Sequence, residues 1–193
     1  MIPLVATLPY AAVFWVVCVW ALVPEWRLSR RSRSLEAPQD AGSMRLITWG
    51  QRTGAVTAYL LALLAPFGTL PGRELWFWAG IALMLAGSLL RRHCFRILGP
   101  AFTAAVVVTR GQAVIERGVY RWVRHPSYTA GAMVLIGIAL VLGNWLSLIM
   151  ILLSVSLTFG YRVHVEERAL RAQLGDAYSA YMLRTKRFVP WVI

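Results

Sequence analysis

Long apolar runs separated by blocks of arginine decide what this chain can fold into. Such runs occupy 3–23, 46–65, 74–90, 129–142 and 145–161. About 20 apolar residues span a bilayer as a helix, and backbone crossing hydrocarbon must satisfy its polar groups internally. The reading is therefore an all-α integral membrane protein of about five transmembrane helices. Hydrophobic residues make up 59% of the 193 and charged residues 15%, too apolar for an ordinary soluble domain of this length.

The formal net charge of +12 raises nucleic acid as a partner. The positions of the charges argue against it. Arg27, Arg30, Arg31, Arg33 and Arg45 fill one gap between runs. Arg91, Arg92, Arg96, Arg110, Arg117, Arg121 and Arg124 fill another, and Arg162, Arg168, Arg171, Arg184, Lys186 and Arg187 follow the last run. Such blocks follow the positive-inside rule. With all of them cytoplasmic, the N-terminus lies outside and the C-terminus inside.

A signal peptide is the rival reading of 3–23. No basic region precedes it, and Pro24-Glu25-Trp26-Arg27 is not a small-residue cleavage site. Cys18, Cys94 and three scattered histidines make neither a disulfide framework nor a metal set. No nucleotide-binding glycine fingerprint, phosphate-binding loop or serine-nucleophile elbow occurs.

One membrane domain, 1–193, accounts for the chain: three spans in 1–90 and a chemically richer half in 91–193. Residues 24–45 read as a polar loop. Segment 91–128 is too polar to span and too apolar to be disordered, which suits a structured segment at the membrane face. The run 129–142 gives only about 21 Å of helix, so it is either a hairpin buried in protein or a helix that begins earlier, near Tyr128. Gly143-Asn144 marks the turn into 145–161. An amphipathic helix from Arg162 completes the chain.

Two clusters could carry chemistry. In the first, Val119 to Tyr128, aromatic rings, Arg121, Arg124 and His125 crowd together. Pro126 disfavours helix at His125, leaving backbone groups free to meet a ligand. In the second, Arg162 and Glu166 are four apart and share a helix face, with Glu167 beside them. A surface ion pair and interfacial anchoring by Trp, Tyr and Arg explain the same residues. Ionisable groups at a membrane helix end favour function, and a guanidinium there can fork onto a carboxylate or phosphate.

The order Gly118-Val119-Tyr120, Val123-Arg124-His125-Pro126-Ser127-Tyr128, Arg162-x3-Glu166-Glu167, Leu170, Gly175, Tyr178 and Tyr181 resembles the isoprenylcysteine carboxyl methyltransferase family. Phospholipid methyltransferases are similar relatives. The likeness covers roughly residues 89 to 193. It implies a multi-pass membrane methyltransferase that takes S-adenosyl-L-methionine from the cytoplasmic face and a lipid-tailed acceptor from the bilayer. No obligate protein partner is implied.

Residue by residue, the resemblance assigns the cofactor pocket to Gln112, Val114, Ile115, Gly118, Tyr120, His125, Pro126, Ser127, Tyr128 and Glu166. Gln112 stands where the family reads His, and Ala130 where it often has Gly, with Gly131 adjacent. Leu174 replaces a usual Phe before Gly175. Arg162 matches the residue associated with the methyl-accepting group. Carboxyl O-methylation of an isoprenylcysteine-like substrate is the leading expectation. Lipid N-methylation is the alternative; it needs a base, a role open to Glu167. A non-catalytic lipid- or sterol-binding protein is the alternative of another class.

Overall fold

In the computed structural model of the chain, residues 3–32, 40–99 and 114–190 are described, with 24–32 as backbone alone. Five α-helices follow in order: α1 (Tyr10–Ser32), α2 (Ser43–Leu64), α3 (Arg73–Leu98), α4 (Pro126–Leu142) and α5 (Trp145–Arg184). Short 3-10 turns lie at Leu4–Ala6, Pro66–Gly68 and Gly118–Arg121. The described residues contain no strand, only isolated bridges pairing Thr69 with Asn144 and Val123 with Lys186.

Each helix covers all or most of one apolar run, and several extend past it. Helix α1 passes through Pro24 to Ser32, where the sequence suggested a loop. Proline lacks the N–H that would reach the carbonyl four residues back. That carbonyl belongs to Trp20, and Arg92 Nη2 donates to it at 2.7 Å. The Arg92 guanidinium also lies over the Trp20 ring, 4.4 Å from its centroid. An arginine of the basic block thus ties α3 to α1. Helix α4 begins at Pro126, a favoured first-turn position for proline. Its 17 residues reach about 26 Å. The earlier start near Tyr128, one of the two readings of this run, is the one observed.

Helix α5 carries the last apolar run on into the polar tail, and its 40 residues are two helical stretches joined by a kink at Gly175, so the break comes later than Arg162. Gly175, at φ 54° and ψ −128°, breaks its helical geometry and re-aims the last turns. Two hairpins organise the bundle: α3 packs along α4, and α2 along α5. Small residues permit the first. A Cβ on Gly80 would sit 2.5 Å from the Gly137 carbonyl oxygen, and one on Gly87 would sit 2.7 Å from that of Ala130. Serine hydroxyls secure the second, with Ser147 Oγ donating to the Ala58 carbonyl at 2.6 Å and Ser154 Oγ to that of Gly50 at 2.8 Å. Both devices suit helices that gain nothing from exchanging lipid contact for apolar contact.

At the α4–α5 turn, buried Asn144 caps α5 by accepting from Leu146 N and Ser147 N. Its amide donates to the Ala65 carbonyl at the end of α2. The outer faces of four helices are apolar and exposed, among them Trp15, Val19, Val56, Leu60, Leu89, Leu153 and Leu157. Water would not tolerate a belt of that extent, whereas lipid would. Helices Arg73–Leu98 and Trp145–Arg184 are long and apolar enough to cross a membrane. Tyr10–Val23 and Pro126–Leu142 are shorter apolar helices.

Candidate active site

Arg162 lies where the apolar part of α5 ends, and its side chain is 3% exposed. Its Nε donates to the Tyr128 hydroxyl oxygen at 3.1 Å. Tyr128, in the first turn of α4, donates that hydroxyl to Glu166 Oε2 at 2.8 Å. Arg162 and Glu166 are therefore linked through a tyrosine from another helix, unlike a solvated pair on one helix face. Arg162 Nη1 donates to Ser43 Oγ at 2.6 Å and to the Asp40 carboxylate. The Tyr128 ring meets Phe159 edge-on at 5.2 Å, which fixes the hydroxyl's aim.

Glu167 is one residue further, so its side chain leaves the helix about 100° away. It is buried among cations. Arg124 Nε donates to Oε1 at 3.2 Å, His125 Nε2 lies 3.4 Å from Oε1, and Arg187 Nη2 donates to Oε2 at 2.9 Å. Burial alone would raise the carboxyl. The hydrogen bonds from His125 and Arg187 outweigh it and bring the pKa to about 2. The C-terminal segment completes the clamp. Arg124 N donates to the Lys186 carbonyl at 2.7 Å and His125 N to that of Arg187 at 2.9 Å. Thr129 Oγ1 donates to the Phe188 carbonyl at 2.7 Å.

Two buried tyrosines complete the surroundings. The Tyr178 hydroxyl has no hydrogen-bond partner among the described residues. That of Tyr120 has only the Cys94 thiol beside it, a weak partner. Burial first, then Cys94 and Glu166, push the Tyr120 hydroxyl above its ordinary value. Burial first, then Glu167 and Glu166, do the same to Tyr178. The charge of Glu166 is felt at both hydroxyls. Tyr181 holds this arrangement by donating its hydroxyl to the Tyr120 carbonyl at 2.6 Å.

The structure brings Tyr120, His125, Tyr128, Arg162, Glu166 and Glu167 together. Pro126 and Ser127 are buried at the start of α4, and the Ser127 carbonyl accepts from Arg91. Gly118 adopts φ 61° in the turn before Tyr120, where a Cβ would lie 2.4 Å from Ile97 Cδ1. Val114 and Ile115 are half-buried in the strandless approach to that turn. Gln112 lies outside the described residues. Ala130 is fully buried under Gly87, so its position does demand a small side chain. Asp40, Ser43, Tyr178 and Arg187 join the site without having been singled out as site residues. Asp40 and Ser43, spaced three apart before an apolar run, carried only a helix-start signal.

The model of the isoprenylcysteine carboxyl methyltransferase family matches residues 80–172, which include Tyr120, the His125–Tyr128 stretch, Arg162 and both glutamates. Over that stretch, just under half of its length, the chain is similar to that family. Among similar proteins, protein-S-isoprenylcysteine O-methyltransferase B of Arabidopsis thaliana is 28% identical over 143 residues, 72% of this chain and 73% of its own length. The Schizosaccharomyces pombe protein-S-isoprenylcysteine O-methyltransferase is 27% identical over 59% of this chain, which spans only 49% of that relative. Methanethiol S-methyltransferase of Mycobacterium tuberculosis is 29% identical over 163 residues, 77% of this chain and 59% of its own length.

Among solved structures, the eukaryotic intramembrane Ras methyltransferase of the same family shares the fold at a TM-score of 0.63 and 24% identity. The superposition covers 73% of this chain and about half, 52%, of that one. The chain thus spans about half the length of that structure, and the likeness is one of fold.

Proposed function

We propose that the chain is a multi-pass membrane methyltransferase that uses S-adenosyl-L-methionine to methylate the carboxylate of an isoprenylcysteine-like acceptor. Arg162 carries this reading. It is a buried guanidinium at a membrane helix end, aligned by Tyr128 and already adapted to an anion. Such a group recognises a carboxylate whose apolar tail lies among the helices.

The donor set fits the cofactor. Buried hydroxyls of Tyr120 and Tyr178 await partners, and Glu166 accepts one hydrogen bond, from Tyr128, among the described residues. Glu166 would take ribose hydroxyls or the ammonium. Tyr120, His125, Tyr128 and Tyr178 would wall the adenosyl moiety, with Val114, Ile115, Gly118, Pro126 and Ser127 shaping its rim. When bound, S-adenosyl-L-methionine supplies an electrophilic methyl on a sulfonium. The chain's own task is alignment, because a carboxylate acceptor is already ionised. Orientation and water exclusion are worth up to about 7–11 kcal/mol in favourable cases. Arg162 holds the acceptor and Glu166 the donor one helical turn apart. The basic block at this end supports a cytoplasmic site, and the apolar belt supports the five-span reading.

An amine acceptor loses support from the same geometry. Its base would be Glu167, yet that carboxyl sits at about 2 against Arg124, Arg187 and His125. A second reading, transfer to a small thiol, rests on the likeness to methanethiol S-methyltransferase over 77% of this chain.

The test is label transfer from S-adenosyl-L-methionine in proteoliposomes to a farnesylcysteine analogue, methanethiol or phosphatidylethanolamine. The expected product is the base-labile methyl ester of the first. Arg162→Ala should lower its formation by about a hundredfold, or about 2.7 kcal/mol, with calorimetric cofactor affinity retained. Unchanged turnover in that variant would remove Arg162 from the acceptor site. Absence of cofactor binding in the native protein would leave the non-catalytic reading.

A further inference from the structure

We infer that Asp40 is the specificity-determining counter-ion of the acceptor site: its carboxylate holds the acceptor's place at Arg162 and yields it when a charged acceptor arrives. This rests on the carboxyl-methylation reading. Asp40 lies just ahead of α2, and its Oδ1 meets Arg162 Nη1. Ser43 Oγ, which accepts from the same Nη1 at 2.6 Å, donates to Asp40 Oδ1 at 3.1 Å. Asp40 Oδ2 accepts from Met44 N at 3.0 Å, in the first turn of α2. The side chain is 14% exposed, so water reaches it poorly. Asp40 therefore has three supports, Arg162, Ser43 Oγ and Met44 N, and only one of them is Arg162. If Oδ1 leaves the guanidinium, the bond to Met44 N keeps the carboxylate within a side-chain rotation of it.

Charge counting gives this contact a consequence. Among the described residues, two carboxylates stand around Arg162: Asp40 and, through Tyr128, Glu166. A third, from the acceptor, would leave three anions against one guanidinium in a poorly hydrated space, which is strongly unfavourable. Asp40 is the member able to leave, because the helix N-terminus stabilises its charge elsewhere. In the transfer, an acceptor carboxylate oxygen bonds to the methyl carbon as the carbon–sulfur bond breaks, the electron pair stays on sulfur, and no proton moves. The resulting ester is neutral and can no longer balance Arg162. Asp40 then recaptures the guanidinium, which favours release of the ester. The device selects acceptors that carry a charge before transfer and lose it afterwards.

The test is equilibrium binding of a farnesylcysteine analogue, as free acid and as methyl ester, to the full chain in detergent with S-adenosylhomocysteine present. Asp40→Asn keeps the shape and removes the competing charge. It should tighten the acid about tenfold and leave the ester within about twofold. In turnover, KM for the acid should fall without a matching rise in kcat. Equal shifts for acid and ester, or weaker acid binding, would overturn the role. Should Asp40→Asn not yield folded protein, Ser43→Ala loosens Asp40 from Nη1 at unchanged charge. It should move the acid in the same direction by about threefold, and no change or weakening there would overturn the role as well. Native protein that binds neither acid nor ester would refute both Asp40's role and the carboxyl-methylation reading. Native protein that binds and methylates the acid, with variants that do not discriminate acid from ester, would refute Asp40's role alone.

Discussion

Glu166 and Glu167 are neighbours in sequence and opposites in environment. Glu166 is half-buried and accepts one hydrogen bond, from the Tyr128 hydroxyl, among the described residues. Glu167 is buried and is approached by Arg124, His125 and Arg187. A carboxylate offers about four acceptor positions. Glu167 has spent its positions on holding the His125 loop against α5 and the C-terminal segment. Glu166 keeps positions open, and its charge acts on two buried tyrosine hydroxyls that lack strong partners. One carboxylate is cement, and the other, on the proposed reading, is a binding group. The helical rotation of about 100° between adjacent residues creates the division.

Exchanging each glutamate for a neutral residue separates the two roles. Glu167→Ala should have the largest effect, on stability. It strands Arg124 and His125 in a buried site, and breaking such a cluster costs about 3–5 kcal/mol. A thermal melt in detergent should show a large loss of Tm, and an unchanged Tm would show that the clamp is dispensable. Glu166→Gln should instead leave Tm nearly intact and weaken S-adenosyl-L-methionine about tenfold, or about 1.4 kcal/mol, by titration calorimetry. If Glu166→Gln destabilised the fold as much as Glu167→Ala, the division between them would collapse.

The sequence exposes one side of this division far better than the other. Apolar periodicity located all five helices, and Gly143-Asn144 located the α4–α5 turn to the residue. The Arg162-x3-Glu166 spacing and the His125-Pro126 break brought the two clusters into view. Helix extensions were less visible, because they depend on partners distant in sequence. Arg92 completes the carbonyl of Trp20 left open by Pro24, and nothing in the α1 segment alone announces that. The pairing of Arg162 with Asp40 crosses 122 positions. A polar loop hides such a residue among Ser, Arg and Glu of similar character. Glu167's role was invisible for a related reason. Its distinction from Glu166 lies in Arg187 and the backbone of 186–188, which fold back onto 122–129 only in three dimensions.

The cluster around Glu167 can itself be graded, because its cations differ in exposure. Arg187 is 47% exposed at its side chain, against 9% for Arg124. A solvent-facing ion pair contributes about 0–1 kcal/mol. Arg187→Ala should therefore cost far less Tm than Glu167→Ala, and an equal loss would mean that the C-terminal clamp hangs on this one arginine.

Acidification gives the smallest and most gradual effect. The folded Glu167 carboxyl titrates at about 2, below its ordinary value of 4.5. Its contribution to stability is thus complete above about pH 4.5 and fades as pH falls from there towards 2. Comparison with Glu167→Gln isolates that contribution. The Tm gap between native protein and variant should be widest at neutral pH, stay constant down to about pH 5, and narrow steadily below. A gap that begins to close well above pH 5 would mean that a group other than Glu167 carries the titration. A gap that stays open at pH 3 would mean that the glutamate acts through shape and hydrogen bonding, with its charge incidental.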